Sequence, residues 1–406
     1  MNPLPMMDMQ EATRLTREGR LMEAMALLRG AAPNGMPQAR TSSSATKDQV
    51  DEATILDMRP PRIAGGAWTA RRVEPGPGEQ ARPTPFQTSN AGAFSKVLHP
   101  AFGRTAMGRA RADTQDQLVG GARFEDHTYA DANGARSYKL YVPSRFAGEA
   151  IPLVVMLHGC TQSPDDFAAG TQMNALAEEQ LFLVAYPAQP QSANAQKCWN
   201  WFNAGDQRRD YGEPALIAGI TRQIMGEFPV DATRVYIAGL SAGGAAAAIM
   251  GSTYPDLFAA IGVHSGLACG AASDMPSAFS AMRQGGKGKR SGTGSPVPTI
   301  VFHGDRDTTV SAINGDQVIG QSRAGADLKI DVTSGTSDGG ITYTRTRHSD
   351  RQDTPVLEQW VLHGAGHAWS GGSAAGSYTD PRGPDASREM MRFFMHHRGQ
   401  PGVAVS

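Results

Sequence analysis

Gly239-Leu240-Ser241-Ala242-Gly243 is the local pattern with the most chemistry in it. It follows the apolar run VYIAG and precedes a stretch of Gly and Ala. A tight strand-to-helix turn needs small residues two positions either side of the serine, and the two glycines meet that need. Ser241 then projects above a helix N-terminus, which favours developing negative charge. A serine hydroxyl is a poor nucleophile unless a base takes its proton and an acid orients that base. The run TIVFHG ends in His303-Gly304-Asp305-Arg306-Asp307, and LEQWVL ends in His363-Gly-Ala-Gly-His367. Asp307, just past its strand, is the first candidate for the acid, with Asp305 its rival. His367, in a glycine-flanked loop, is the first candidate for the base, with His363 the alternative. Acyl transfer also needs donors for the tetrahedral oxyanion. The backbone N–H of Cys160, after His158-Gly159, and that of Ala242 are placed to supply two. Cys160 serves there through its amide, not its thiol.

Other chemistries find less support. The sequence has no HExxH, CxxC pair or EF-hand loop, so no metal or other cofactor is expected. The lysine and hydroxyl that close a phosphate loop do not follow Gly243. A formal net charge of −1 gives no reason to expect a nucleic-acid partner. No stretch approaches the roughly 20 apolar residues of a membrane span. The first twenty residues lack a basic start followed by an apolar run, so a cytoplasmic location is the expectation.

These side chains need a scaffold. With 40% hydrophobic residues, the 406-residue chain can bury a large core. Residues 1–30 read as a short helical segment, on the spacing of Ala12, Leu15, Leu21, Ala24 and Leu28. Residues 31–120 are rich in Pro, Gly and Ser and read as a largely irregular linker. The folded region is expected at 121–397, with 398–406 a tail. There, strands at 135–143, 151–159, 181–187, 234–241, 259–266, 297–307 and 354–367 alternate with helices at 165–180, 213–228, from Ala242 and near 384–397. Apolar strands alternating with helices imply an α/β fold: a mainly parallel sheet with helices on both faces. The chain order Ser…Asp…His is that of the α/β-hydrolase fold.

Five segments together carry a likeness to a known family: LHGCTQSPDDFAAGTQMNALAEEQLFLVAYP (157–187), KCWNWFN (197–203), AGLSAGGAAA (238–247), FHGDRDTTV (302–310) and GAGHAWSGG (364–372). Over residues 135–397 the chain resembles the polyhydroxybutyrate-depolymerase-type esterases, a family that includes feruloyl and acetylxylan esterases. The resemblance implies an α/β-hydrolase with a triad of Ser241, Asp307 and His367, and an oxyanion hole at Cys160 and Ala242. It implies an ester substrate, either hydroxyalkanoate polymer or oligomers and short-chain esters, or acyl groups on plant polysaccharide. It also suggests a Cys160–Cys198 bridge in an oxidising compartment. Trp199, Trp201 and Trp369 are expected to form an aromatic wall for substrate. A non-enzymatic reading remains, a polymer-granule or scaffold-binding protein attached to polymer or to a protein partner through residues 1–120.

Overall fold

A computed structural model describes residues 56–59, 69–72, 119–286, 288, 297–323 and 327–399. The chain divides into two units, Met1–Phe86 and Gln87–Ser406. In the first, β1 (Leu56–Arg59) pairs antiparallel with β2 (Thr69–Arg72). This short pairing falls within residues 31–120, read from the sequence as largely irregular; bulk composition registers the prolines and glycines but not a short local pairing. The helix expected within residues 1–30 and the tail from residue 400 lie outside the described residues.

The second unit carries a ten-stranded sheet. Its strands are β3 (Arg123–Asp131), β4 (Gly134–Val142), β5 (Ile151–Leu157), β6 (Leu183–Pro187), β7 (Val230–Leu240), β8 (Ala260–His264), β9 (Thr299–Gly304), β10 (Lys329–Thr336), β11 (Thr342–Ser349) and β12 (Pro355–Leu362). They lie in the order β10-β11-β12-β9-β8-β7-β5-β6-β4-β3. The six from β12 to β6 are parallel, and an antiparallel pair closes each edge. Every residue of β5, β6, β8 and β9 is buried, which is why these strands read as continuous apolar runs.

Helices cover both faces. The described helices are α1 (Pro164–Thr171), α2 (Met173–Gln180), α3 (Gly212–Glu227), α4 (Ala242–Thr253), α5 (Met275–Gln284), α6 (Ile313–Arg323) and α7 (Ala386–Phe394). Side chains alternate across the strands, so Leu153, Val155 and Ile237 pack with Ile217 and Ile220 of α3 and the alanines of α4. On the opposite face Val154, Met156 and Tyr236 pack with Phe167 of α1, Leu176 of α2 and Met390 and Phe394 of α7. Truncating a fully buried Leu such as Leu153 costs roughly 2–5 kcal/mol.

Two differences from the expected elements have physical causes. The helix expected at 165–180 breaks into α1 and α2 at Gln172, which takes φ 55°. The break accompanies docking of α7: the freed carbonyl of Thr171 accepts a hydrogen bond from Ser387 Oγ at 2.6 Å. The antiparallel strands β10 and β11 were not expected, since β10 is exposed along nearly its whole length and has no apolar run to announce it.

Candidate active site

Ser241 stands between the end of β7 and the start of α4 at φ 58° and ψ −118°. A non-glycine residue held there costs of order 1–3 kcal/mol and persists only where its surroundings over-determine it. Those surroundings are visible. A Cβ at Gly239 would overlap the backbone of Gly243, and one at Gly243 would overlap the carbonyls of Leu157 and His158. The two glycines let the elbow press onto the end of β5. The Ser241 N–H donates to the carbonyl of His264, at 2.9 Å, tying the elbow to β8 as well.

Asp307 follows β9 in a loop, its side chain fully buried. One carboxylate oxygen, Oδ1, accepts the N–H groups of Thr309 and Val310, both at 2.8 Å. The other, Oδ2, lies 2.6 Å from Nδ1 of His367, and 3.5 Å from Nε2 of the buried His303. Burial opposes ionisation of Asp307, but the hydrogen bonds from His303 and His367 outweigh it and hold the carboxyl below its usual range. An ionised Asp307 accepts from Nδ1–H, which leaves Nε2 of His367 free to act as base. The two alternatives pair with each other instead. His363 Nδ1 lies 3.0 Å from Asp305 Oδ2, and Gly364 N–H donates to Oδ1 at 2.7 Å. That second pair is 41% and 37% exposed, against 8% and 0% for His367 and Asp307.

Ser241, His367, Cys160 and Ala242 line one cavity. Ala242 opens α4, so its N–H has no acceptor within the helix. The loop carrying Cys160 is fastened at several points. The Gly159 N–H donates to Oε1 of the buried Gln162 at 2.8 Å, and Trp199 Nε1–H donates to the His158 carbonyl at 3.1 Å. Gln162 in turn donates to Asp166 and to the carbonyl of Ser377. Cys160 and Cys198 form a disulfide, and both line the cavity.

The expected aromatic wall is corrected in part. Trp201 and the adjacent Phe202 do line the cavity. Trp199 and Trp369 are fully buried and hold the loops around it. Trp199 fastens the His158 carbonyl, while the Trp369 ring packs between Phe167 and His264 and donates to Ser387 Oγ at 3.1 Å. An indole beside a catalytic loop serves equally well as that loop's anchor, and sequence does not separate the two uses. The apolar wall comes instead from α5, through Met275, Phe279 and Met282, a helix not expected from the sequence.

Two buried histidines also went unassigned at the sequence level. His264 accepts the Ser370 N–H at Nε2, 3.0 Å away, and so fixes the chain just after His367. His158 meets the oxyanion loop directly. The only sequence signal for either is its position at the end of an apolar strand. Burial pushes His158 down to about 4, and burial with its His303 and His367 neighbours pushes His264 down to about 3.

Such groups make stability depend on pH. A histidine with a lowered pKa in the folded state is protonated first in the unfolded chain. Its contribution is complete above the ordinary value of 6.5 and is lost as pH falls below it. His397, buried and pushed down to about 4, acts in the same sense. Glu213, raised by burial and by Asp206 to about 7, opposes them over this range with one proton. These three rings, with His348 lowered by burial in the same sense, against one glutamate leave a net uptake of at least two protons on unfolding, or about 3 kcal/mol per pH unit or more at the steepest. Urea unfolding at half-unit steps should therefore show stability falling from pH 6.5 to 4.5, and a flat profile would contradict these buried neutral rings.

Among the described residues no cluster of three or more His, Cys, Asp or Glu is placed to hold a metal ion, and no helix is long and apolar enough to cross a membrane.

Residues 136–343 match the family described as Esterase PHB depolymerase. Poly(3-hydroxyalkanoate) depolymerase C of Paucimonas lemoignei is 34% identical over 239 residues, covering 56% of this chain and 57% of that protein. Feruloyl esterase B of Neurospora crassa is 32% identical over 141 residues, covering 34% and 47%. The chain thus spans about half the length of these curated relatives. Among solved structures, an acetyl xylan esterase from Aspergillus awamori superposes with a TM-score of 0.54 at 20% identity, over 67% of this chain and 99% of that one, a likeness of fold.

Proposed function

Because the chain belongs to the esterase family of polyhydroxybutyrate depolymerases, we propose that it is a serine esterase acting on hydroxyalkanoate oligomers or polymer and on short-chain esters. The observation that carries the reading is the shared cavity, lined both by the strained Ser241 and by the histidine bonded at 2.6 Å to a buried aspartate.

The chemistry follows from the groups present. Nε2 of His367 takes the proton of Ser241 as Oγ attacks the ester carbonyl. The N–H groups of Cys160 and Ala242 hold the oxyanion of the tetrahedral intermediate. Collapse breaks the C–O bond, and His367 gives its proton to the departing alcohol, leaving an acyl-serine. Water, activated by the same imidazole, releases the acid and restores Ser241. Asp307 stays ionised and stabilises the imidazolium at each stage.

The cavity supports the substrate class. Trp201, Phe202, Leu267, Met275, Phe279 and Met282 make its walls apolar, suited to alkyl-bearing acyl units. The Cys160–Cys198 bridge favours an oxidising compartment over the cytoplasm. Initial rates on hydroxybutyrate oligomers, a p-nitrophenyl butyrate reference, acetylated xylan and methyl ferulate should rank the oligomers first, with Ser241→Ala as the blank. Turnover confined to ferulate or acetylxylan would move the substrate to the polysaccharide esterases of the same family. A protein that binds polymer equally well with and without Ser241 and turns over none of these is the binding module instead.

A further inference from the structure

Resting on the esterase reading above, we propose that Thr309 is a specificity-determining residue. Its hydroxyl hydrogen-bonds an oxygen on C3 of the acyl group and so favours 3-hydroxyacyl esters over plain alkyl ones.

Few side chains of the cavity offer a hydrogen bond. Outside Ser241 and His367, those with a hydroxyl are Thr161, Thr309 and Tyr378. Thr161 and Tyr378 turn to each other: their oxygens lie 3.1 Å apart, and Thr161 Oγ1 also donates to the Cys160 carbonyl at 2.6 Å. Thr309 stands differently. It is half-buried, and among the described residues its Oγ1 has no hydrogen-bond partner, although its N–H has one. A hydroxyl on an otherwise apolar wall is left to water or to the substrate, and such scarce polar groups fix how a ligand lies.

Two connections fix where Thr309 stands. Its N–H donates to Oδ1 of Asp307 at 2.8 Å, so the residue is tied to the triad's acid. Two positions on, the Ser311 N–H donates to the carbonyl of Met282 at 2.7 Å and fastens the same stretch to α5. Thr309 thus lies where the apolar α5 wall meets the triad. An acyl group on Ser241, with its carbonyl oxygen at the N–H groups of Cys160 and Ala242, can lay its chain along Leu267, Met275 and Met282. A plain alkyl chain there strips water from the Thr309 hydroxyl and gives nothing back. An oxygen on C3 takes that water's place. In a hydroxyalkanoate this oxygen is a hydroxyl at the chain end and an ester oxygen within the chain, and a threonine O–H donates to both. Leaving a desolvated hydroxyl unpaired is what penalises the analogue without the oxygen. An acetyl group has no C3, and a feruloyl group carries no oxygen there, so the same contact separates hydroxyalkanoates from the acyl groups of polysaccharide esters.

The test compares kcat/KM of the full chain on ethyl butyrate and on the faster enantiomer of ethyl 3-hydroxybutyrate. The parent should favour the hydroxy ester by about ten-fold, the worth of one neutral hydrogen bond. Thr309→Val, similar in shape but without the hydroxyl, should bring that ratio down to about one. Thr309→Ser, which restores the hydroxyl, should keep it within about three-fold of the parent. A purely structural part for Thr309 in the turn at Asp307 lowers both rates alike and leaves the ratio unchanged, and that result overturns the proposal. A serine variant as indifferent as the valine one overturns it too. So does a parent with no preference for the hydroxy ester, a measurement on the unaltered chain that stands whether or not the variants fold. Absence of turnover of both esters by the parent removes the esterase reading itself, and the proposal with it, whereas turnover without preference removes the proposal alone.

Discussion

Ser241→Ala is expected to lower kcat on a p-nitrophenyl short-chain ester by about a thousand-fold or more. The size of the loss follows from the triad acting as a unit. Without Oγ there is nothing for His367 to deprotonate, and the Asp307–His367 pair orients a base with no partner. What survives is catalysis by the aligned N–H groups and by binding alone, which in such sites amounts to 10³–10⁴ over water. The fold should be indifferent to the change. Alanine is no easier than serine to hold at φ 58°, and the bond from its N–H to the His264 carbonyl is unaffected. An unchanged melting temperature beside a collapsed kcat is thus the expected pair of results, and near-normal turnover would remove Ser241 from the reaction.

Asp307→Asn should be comparably damaging, by about 10⁴ in kcat, while Asp305→Asn should cost no more than about three-fold. The hydrogen bonds around Asp307 explain the asymmetry. Its Oδ1 is fixed by two backbone donors, from Thr309 and Val310. In the asparagine the carbonyl oxygen must face those donors, which turns the amide NH₂ toward His367. Nδ1 then has to accept, the ring proton moves to Nε2, and the base points a proton at the serine. Asp305 has no such hold on the reaction, because its partner is the exposed His363. His367→Ala and His363→Ala should divide in the same way. If Asp305→Asn proved the worse variant, the orienting acid would have to be reassigned to the surface pair.

Much of this arrangement is legible in the chain. The buried parallel strands are apolar throughout, and the sharp turn at Ser241 is announced by Gly239 and Gly243, whose absent Cβ atoms the packing requires. What sequence leaves open is which of two Asp–His pairs serves the serine. In the structure the pairs differ in burial, and of the four residues His367 is the one that lines the cavity with Ser241. Trp199 and Trp369 show a different limit. An indole near a catalytic loop is equally compatible with substrate contact and with holding that loop from behind, and only packing decides. The α5 wall escaped notice because Met275, Phe279 and Met282 are spaced over a short helix bounded by glycine- and serine-rich sequence, with no strong apolar run. The bonds made by His158, Gln162 and Gln189 are long-range or depend on a ring tautomer, and periodicity carries no trace of either.

Ester cleavage is proposed to pass through an acyl group on Ser241. It is tested most directly by incubating the full chain with an alkyl p-nitrophenyl phosphonate, measuring the intact mass and mapping the modified peptide. One adduct per chain is expected, on Ser241, formed in step with loss of esterase activity and absent from Ser241→Ala. Complete loss of activity with the adduct on another residue, or full activity with Ser241 fully modified, would contradict it.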